Sequence, residues 1–208
     1  MSKKANTTVS AVPIDAMQTK PSSSRNAGET RARILAAARR RFSRESYENV
    51  GTRDIAADAG VDAALVNRYF GSKEKLFAEV LDGGFRLDEH MPALMDKLGM
   101  HLAGQIIEDG DAAAEDEFDA LRVLLRATGN PLTAAMVSER FHAEFVLPLA
   151  ALLTGRDAEV RAALIASYVI GLATMRHALM SPVLAGAAKD KAATMAGKAI
   201  QELATPGV

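Results

Sequence analysis

The chain has 208 residues, 49% hydrophobic and 25% charged, enough for one sizeable core or a small domain beside a larger one, which excludes disorder throughout; with no cysteine it has neither disulfides nor thiolate chemistry. The formal net charge of −1 conceals an asymmetry: residues 1–81 carry 14 Lys+Arg against 9 Asp+Glu and residues 82–208 carry 11 against 17, so a basic head on an acidic body points to a polyanionic partner for the head alone. No uninterrupted apolar run approaches 18 residues, and Lys3 and Lys4 lead into polar Asn6, Thr7 and Thr8, so a cytoplasmic protein with no membrane partner is expected.

Residues 1–28, rich in Ser, Thr and Asn and containing Pro13 and Pro21, show no helical period and read as a flexible arm. Ile34, Ala38 and Phe42 then recur at the spacing of one buried helix face, which predicts a helix over about 29–44. Thr52 reads as the N-cap of a short second helix ending at Ala59-Gly60-Val61, where Gly60 supplies the left-handed conformation of a tight turn. Asp62 caps a third helix reaching Tyr69, with Val66 and Phe70 inward, and Ser72 caps a fourth with Leu76, Val80 and Leu81 on its buried side.

Beyond Gly83-Gly84 the spacing predicts helices over about 92–108, 115–128, 131–154, 157–180 and 187–204. Pro92 and Pro131 suit first turns; Gly110, Gly129 and Gly155 suit breaks; Asp157 suits a cap; Pro148 predicts a kink. The acidic connection from 108 to 117 reads as a solvated loop. The expected fold class is all-α with about nine helices: an arm over 1–28, a three-helix head containing a helix-turn-helix over 29–72, and a helical body over 73–208.

A helix, a short turn with glycine and a second helix form the arrangement that lays the latter in a DNA major groove, although any tight helical hairpin has the same outline. The segment from Thr30 to Leu81 goes further. Arg33-Ile34-Leu35-Ala36-Ala37-Ala38, Phe42, Tyr47, Thr52-Arg53-Asp54-Ile55-Ala56, Ala59-Gly60-Val61 and Tyr69-Phe70-Gly71-Ser72-Lys73-Glu74-Lys75-Leu76-Phe77 resemble, in order and spacing, the DNA-binding domain of the tetracycline-repressor family. The stretch from Leu147-Pro148-Leu149 to Gly171-Leu172-Ala173 looks like one of that family's regulatory-domain types.

The resemblance implies a sequence-specific DNA-binding transcriptional regulator and no enzyme. By it, Thr52 is a phosphate-contacting cap, and Arg53 is a base reader, guanidinium being able to bond guanine O6 and N7 together; a phosphate-only arginine is the alternative. Ala63, Ala64 and Leu65 open the recognition helix, where small apolar groups touch thymine methyls, although Leu65 also suits the core. Asn67, Arg68 and Tyr69 end that helix within reach of phosphates or bases, and Lys73 starts the next, where the family touches the backbone. The family often has Tyr at position 67, His at 69 and Ser or Thr at 62, so Asn67, Tyr69 and Asp62 are departures that bear on operator sequence.

In the body, polar side chains interrupt apolar helices. His101, Phe118, Leu121, Arg122, Leu125, Met136, Glu139, Arg140, His142, Tyr168 and Met175 are the candidates for a ligand pocket that would take a small-molecule effector of unreadable chemistry. Ser167, Gly171, Thr174 and Ala178 form a strip of small side chains at helical spacing, and the last helix offers Ala192, Met195, Ala199 and Leu203; together they predict a two-fold homodimer on the last two helices. Glu139 and His142 give a single Glu-x-x-His, short of what a di-metal bundle needs, so no metal or other cofactor is expected. The expected partners are a palindromic double-stranded operator, a second copy of the chain and an effector that shifts the fourth helix about Gly83-Gly84 and so releases DNA. A ligand-free DNA-binding protein of the same fold, and a helical enzyme or carrier, are the alternatives.

Overall fold

A computed structural model describes residues 23–87, 95–108, 120–127 and 129–205, and among them there is no strand. Helix α1, Ser23–Arg44, begins inside the stretch read as an arm. No proline follows Pro21 there, and the Thr30 hydroxyl donates to the Asn26 carbonyl at 2.8 Å within the extra turn. Its Ile34, Ala37, Ala38 and Phe42 are buried.

Helix α2 spans Thr52–Ala59, and here the cap expectation shifts by one residue. Gly51 holds the extended N-cap conformation, and the first helical bond, from Ile55 N–H, closes on its carbonyl at 3.1 Å, so Thr52 is already helical. Gly60 takes φ +63°, and the N–H groups of Gly60 and Val61 reach the carbonyls of Ala57 and Ala56, a Schellman closure that satisfies the end of α2. Helix α3, Ala63–Phe70, is capped by Asp62, whose carboxylate accepts from Ala64 N–H at 2.8 Å; α4, Lys73–Leu81, is capped by Ser72, whose hydroxyl accepts from Lys75 N–H at 3.2 Å. Each such cap stabilises its helix by about 1 kcal/mol.

The body continues with a 3-10 turn at Met95–Lys97, α5 (Leu98–Glu108), α6 (Ala120–Ala127), α7 (Pro131–Phe141), a π-turn (His142–Val146), α8 (Leu147–Leu152), α9 (Ala158–Ala173), a second π-turn (Thr174–Ala178), α10 (Pro182–Ala185) and α11 (Lys189–Ala204). Pro92, Gly110, Phe118 and all but the first residue of the 108–117 connection lie outside the described residues. The kink expected at Pro148 takes the form of the first π-turn. Pro148 has no N–H for the carbonyl of Glu144 and its ring crowds that group, and the turn immediately upstream widens so that Leu147 N–H bonds His142 instead. Asp157 precedes α9 but its side chain makes no cap bond; it sits at φ +56°.

Two apolar clusters organise the chain. The head cluster joins Ile34, Phe42, Ile55, Val66, Phe70 and, from α4, Leu76, Phe77 and Val80, and it takes in Val123 and Ala127 of α6 and Val137 of α7. The body cluster joins Leu98, Leu102, Phe145, Leu149, Ile165 and Ile200 from α5, the first π-turn, α8, α9 and α11. By packing, then, α4 belongs with the head, and α6–α7 reach into it. Within the body α5 and α11 make the most extensive helix pairing, meeting where Gly99 faces Gly197. Gln201 locks the crossing: its Oε1 accepts from Gly99 N–H at 2.9 Å and its Nε2 donates to the Met95 carbonyl at 3.1 Å.

Ala158–Ala178 is, by length and composition, long and apolar enough to cross a bilayer, although Glu159, Arg161 and Arg176 interrupt it. Arg161 is buried, its guanidinium donating to the carbonyls of Arg156 at 2.9 Å and Leu203 at 3.0 Å and to Thr154. It closes the ends of α8 and α11 against α9, as a polar tie inside a protein core.

Candidate nucleic-acid interface

The second and third helices place the residues expected to meet DNA. Val66 and Phe70 anchor α3 in the head core, with Ala63, Leu65 and Tyr69 partly buried against it. The helix therefore turns Ala64, Asn67 and Arg68 outward, and Arg53 stands exposed in the first turn of α2 beside half-buried Thr52. Leu65 thus follows the core-facing alternative for much of its surface. The exposed set carries two guanidiniums, an amide and a methyl group, which is the chemistry of base edges and phosphates. Asp62 spends its carboxylate on the cap of α3.

Lys73 sits where α3 hands over to α4. Its Nζ lies 4.2 Å from the centroid of the Tyr47 ring, and burial pushes its pKa down while Glu48 and Glu74 push it back. Burial first, and then Glu74, drives the Tyr47 hydroxyl up to about 12, so the ring stays neutral under the ammonium. Tyr47 is held by Phe42 and Phe77, with centroids 5.9 and 5.1 Å away. Arg31 lies 4.9 Å over the Phe70 ring and pairs with Glu79, and Arg41 pairs with Asp58 at 2.6 Å. These arginines tie α1 to α3, α4 and α2 and leave Arg53 and Arg68 as the outward cations of the helix-turn-helix.

Residues 34–80 match the model of bacterial regulatory proteins of the tetR family, and residues 96–203 match that of the tetracyclin repressor-like C-terminal domain, which alone covers half of the chain. The chain belongs to the tetracycline-repressor family. It is a DNA-binding transcriptional regulator and not an enzyme. A solved TetR-family regulator from Streptomyces coelicolor A3 is similar at 27% identity over 89% of this chain and 97% of its own, with a TM-score of 0.52. A transcriptional regulator from Rhodococcus sp. Rha1 shares the fold at 23% identity over 83% and 96%, with a TM-score of 0.61. A protein described as a transcriptional regulator, from Saccharomonospora viridis and solved in complex with choline, shares it at 22% identity over 84% and 96%, with a TM-score of 0.58. No curated protein matches the chain.

In this tetracycline-repressor chain the residues expected at a dimer seam divide by helix. On α9 and its π-turn, Ser167, Gly171 and Ala178 are exposed and Thr174 is half-buried, its hydroxyl turned back to the Ile170 carbonyl at 2.6 Å. On α11, Met195 is exposed, Ala192 and Ala199 are half-buried, and Leu203 packs against the chain's own body core. Sequence reasoning missed the large apolar residues beside that strip, Val160, Leu164, Leu179, Met180 and Val183, all exposed. Val160 and Leu164, followed by Gly171 and Met175, keep helical spacing and were legible as a stripe, but not as an outward one.

The residues named for a ligand pocket fall in different surroundings. His101, Leu121 and Leu125 are half-buried and Arg122 is exposed. Met136 packs against the head core; Glu139 and His142 are exposed, His142 lying 3.6 Å from Glu159. Arg140 bonds Asp82 and Glu144; Tyr168 is exposed on α9 with Leu164, and Met175 is exposed on the π-turn that follows it. Phe118 is outside the described residues. A small void lined by Phe42, Tyr47, Phe77, Val123 and Thr133 between head and α6–α7 has about 10 Å³, room for no more than a water.

Proposed function

We propose that the protein is a homodimeric repressor that grips a palindromic operator with one α3 helix per subunit and lets go when a small molecule enters the body. The observation that carries the dimer is the outward stripe of α9 and the π-turn that follows it. Val160 is 61% exposed and Leu164, Tyr168 and Met175 are each 45–46% exposed, with Ser167 and Gly171 between them offering close approach. An apolar face of this length on a folded domain calls for a partner surface, and a second α9 with Met195 of α11 alongside makes an isologous four-helix seam. Tyr168 and Met175 then serve the seam, which leaves half-buried His101, Leu121 and Leu125 as the body residues for the effector site.

Leu164→Glu puts two like charges into the seam. It is expected to convert a sedimenting dimer into a monomer at micromolar concentration and to reduce operator affinity by at least about a hundredfold, since one head loses the avidity of its twin. A dimer that survives this change would move the interface off α9. Addition of a metabolite library to the operator complex, followed by fluorescence anisotropy, tests the effector: release by at least one compound supports the reading, and a complex indifferent to every tight binder contradicts it.

A further inference from the structure

Helix α7, the first π-turn and α8 run as one rod from Pro131 to Leu152 that serves both cores. Its first part gives Val137 to the head cluster; its last part gives Phe145, Val146 and Leu149 to the body cluster; Phe141 packs against both. The π-turn at 142–146 lies at the crossing. Its i to i+5 bond, from Leu147 N–H to the His142 carbonyl, takes up one residue more than an α-turn. That residue shifts the register of the rod by about 100° across the joint.

Glu144 projects from this turn to the exit of α4. Its carboxylate accepts from two backbone donors there: Oε1 from Gly83 N–H at 3.0 Å and Oε2 from Phe85 N–H at 3.1 Å, across 61 and 59 positions of sequence. Gly83 adopts φ +72° in the turn that presents these groups, a conformation that side chains disfavour. Arg140, one turn earlier on the rod, places Nη1 2.8 Å from the Asp82 carboxylate and 3.4 Å from that of Glu144. The side chain of Glu144 is only 14% exposed, so its bonds to the two amides are sheltered and charge-assisted.

We propose that Glu144 is the positioning residue that fixes the DNA-binding head on the body: its carboxylate clamps the exit of α4, in the register the π-turn sets. Movement of the rod by an effector reaches α4 through this carboxylate, and in that consequence the inference rests on the proposed ligand-driven release. The clamp itself is tested without DNA, effector or dimer contacts. Because the chain has no cysteine, Ala57→Cys on the head and Leu152→Cys on the body, both exposed, give one spin-label pair within the full chain, read in samples diluted with unlabelled protein. One narrow distance distribution is expected in this parent, and at least a doubling of its width or a second population after Glu144→Gln. An unchanged distribution in a folded Glu144→Gln protein overturns the proposal. Amide exchange in the unmutated chain provides a second arm: Gly83 and Phe85 are expected to exchange at least about tenfold more slowly than unstructured amides, and unprotected amides there overturn the clamp without any variant.

Discussion

Gly99→Ala is expected to destabilise the protein by about 3 kcal/mol or more, while Gly104→Ala, on the same helix, is neutral or stabilising by up to about 1 kcal/mol. A Cβ on Gly99 would stand 2.0 Å from the Gly197 carbonyl oxygen and 2.7 Å from the Gln201 backbone nitrogen, and no rotamer change moves either atom. Helix α5 would have to lift off α11, which breaks the Gly99 bond to Gln201 and opens the body core around Leu98 and Ile200. Gly104 has nothing within 4 Å of its Cβ position, so alanine there gains helix propensity alone. Urea unfolding of the two variants beside the parent measures the contrast. Equal effects would mean that the α5–α11 crossing is not set by backbone contact.

The second large effect concerns how the head reads DNA. Arg53→Ala is expected to cost about 1–3 kcal/mol per half-site, twice that for a dimer on its palindrome, and to relax preference at one base pair in each half. The side chain is exposed at the start of α2, as a guanidinium aimed at a guanine edge must be. Lys73→Ala is expected to act differently, weakening every sequence alike and reducing the salt slope by about 1 per subunit, the signature of a lost phosphate contact. Its ammonium now rests 4.2 Å from the Tyr47 ring at a half-buried site, a contact of about 0.5–2 kcal/mol, which it gives up to reach a phosphate. Titrations of both variants on matched and scrambled duplexes at several salt concentrations separate the roles. Uniform loss across sequences for Arg53→Ala would make it a phosphate contact.

The head was legible in the sequence because its signals are local. Asp62 and Ser72 cap the helices they precede, Gly60 makes the left-handed turn, and Val66, Phe70, Leu76 and Val80 are buried at the spacing that marked them. The misses there are small and physical: α1 starts at Ser23 because nothing after Pro21 stops it, and Gly51 supplies the cap conformation ahead of Thr52. In the body the periodic helices were readable, but not which side of each faces its own core. Leu164 and Ile165 are neighbours of like chemistry, one 46% exposed and the other buried, and only the packing of α5, α8 and α11 around α9 decides between them. Arg161 is a buried tie that no pattern marks, since it joins carbonyls of the loop just before α9, at Thr154 and Arg156, to that of Leu203 some forty positions away in α11. The Glu144 clamp left no pattern either, as its partners are main-chain amides some sixty positions away.

Selection of binding sites by the purified protein from a pool of random duplex DNA tests the central claim most directly, because it asks for sequence reading and two-fold symmetry at once. The predicted result is an enriched palindrome whose half-sites present successive major grooves on one face of the duplex, about one helical turn or a multiple of it apart, with enrichment abolished by Arg53→Ala. Failure to enrich any sequence, or enrichment of a single half-site without its inverted repeat, would contradict the account.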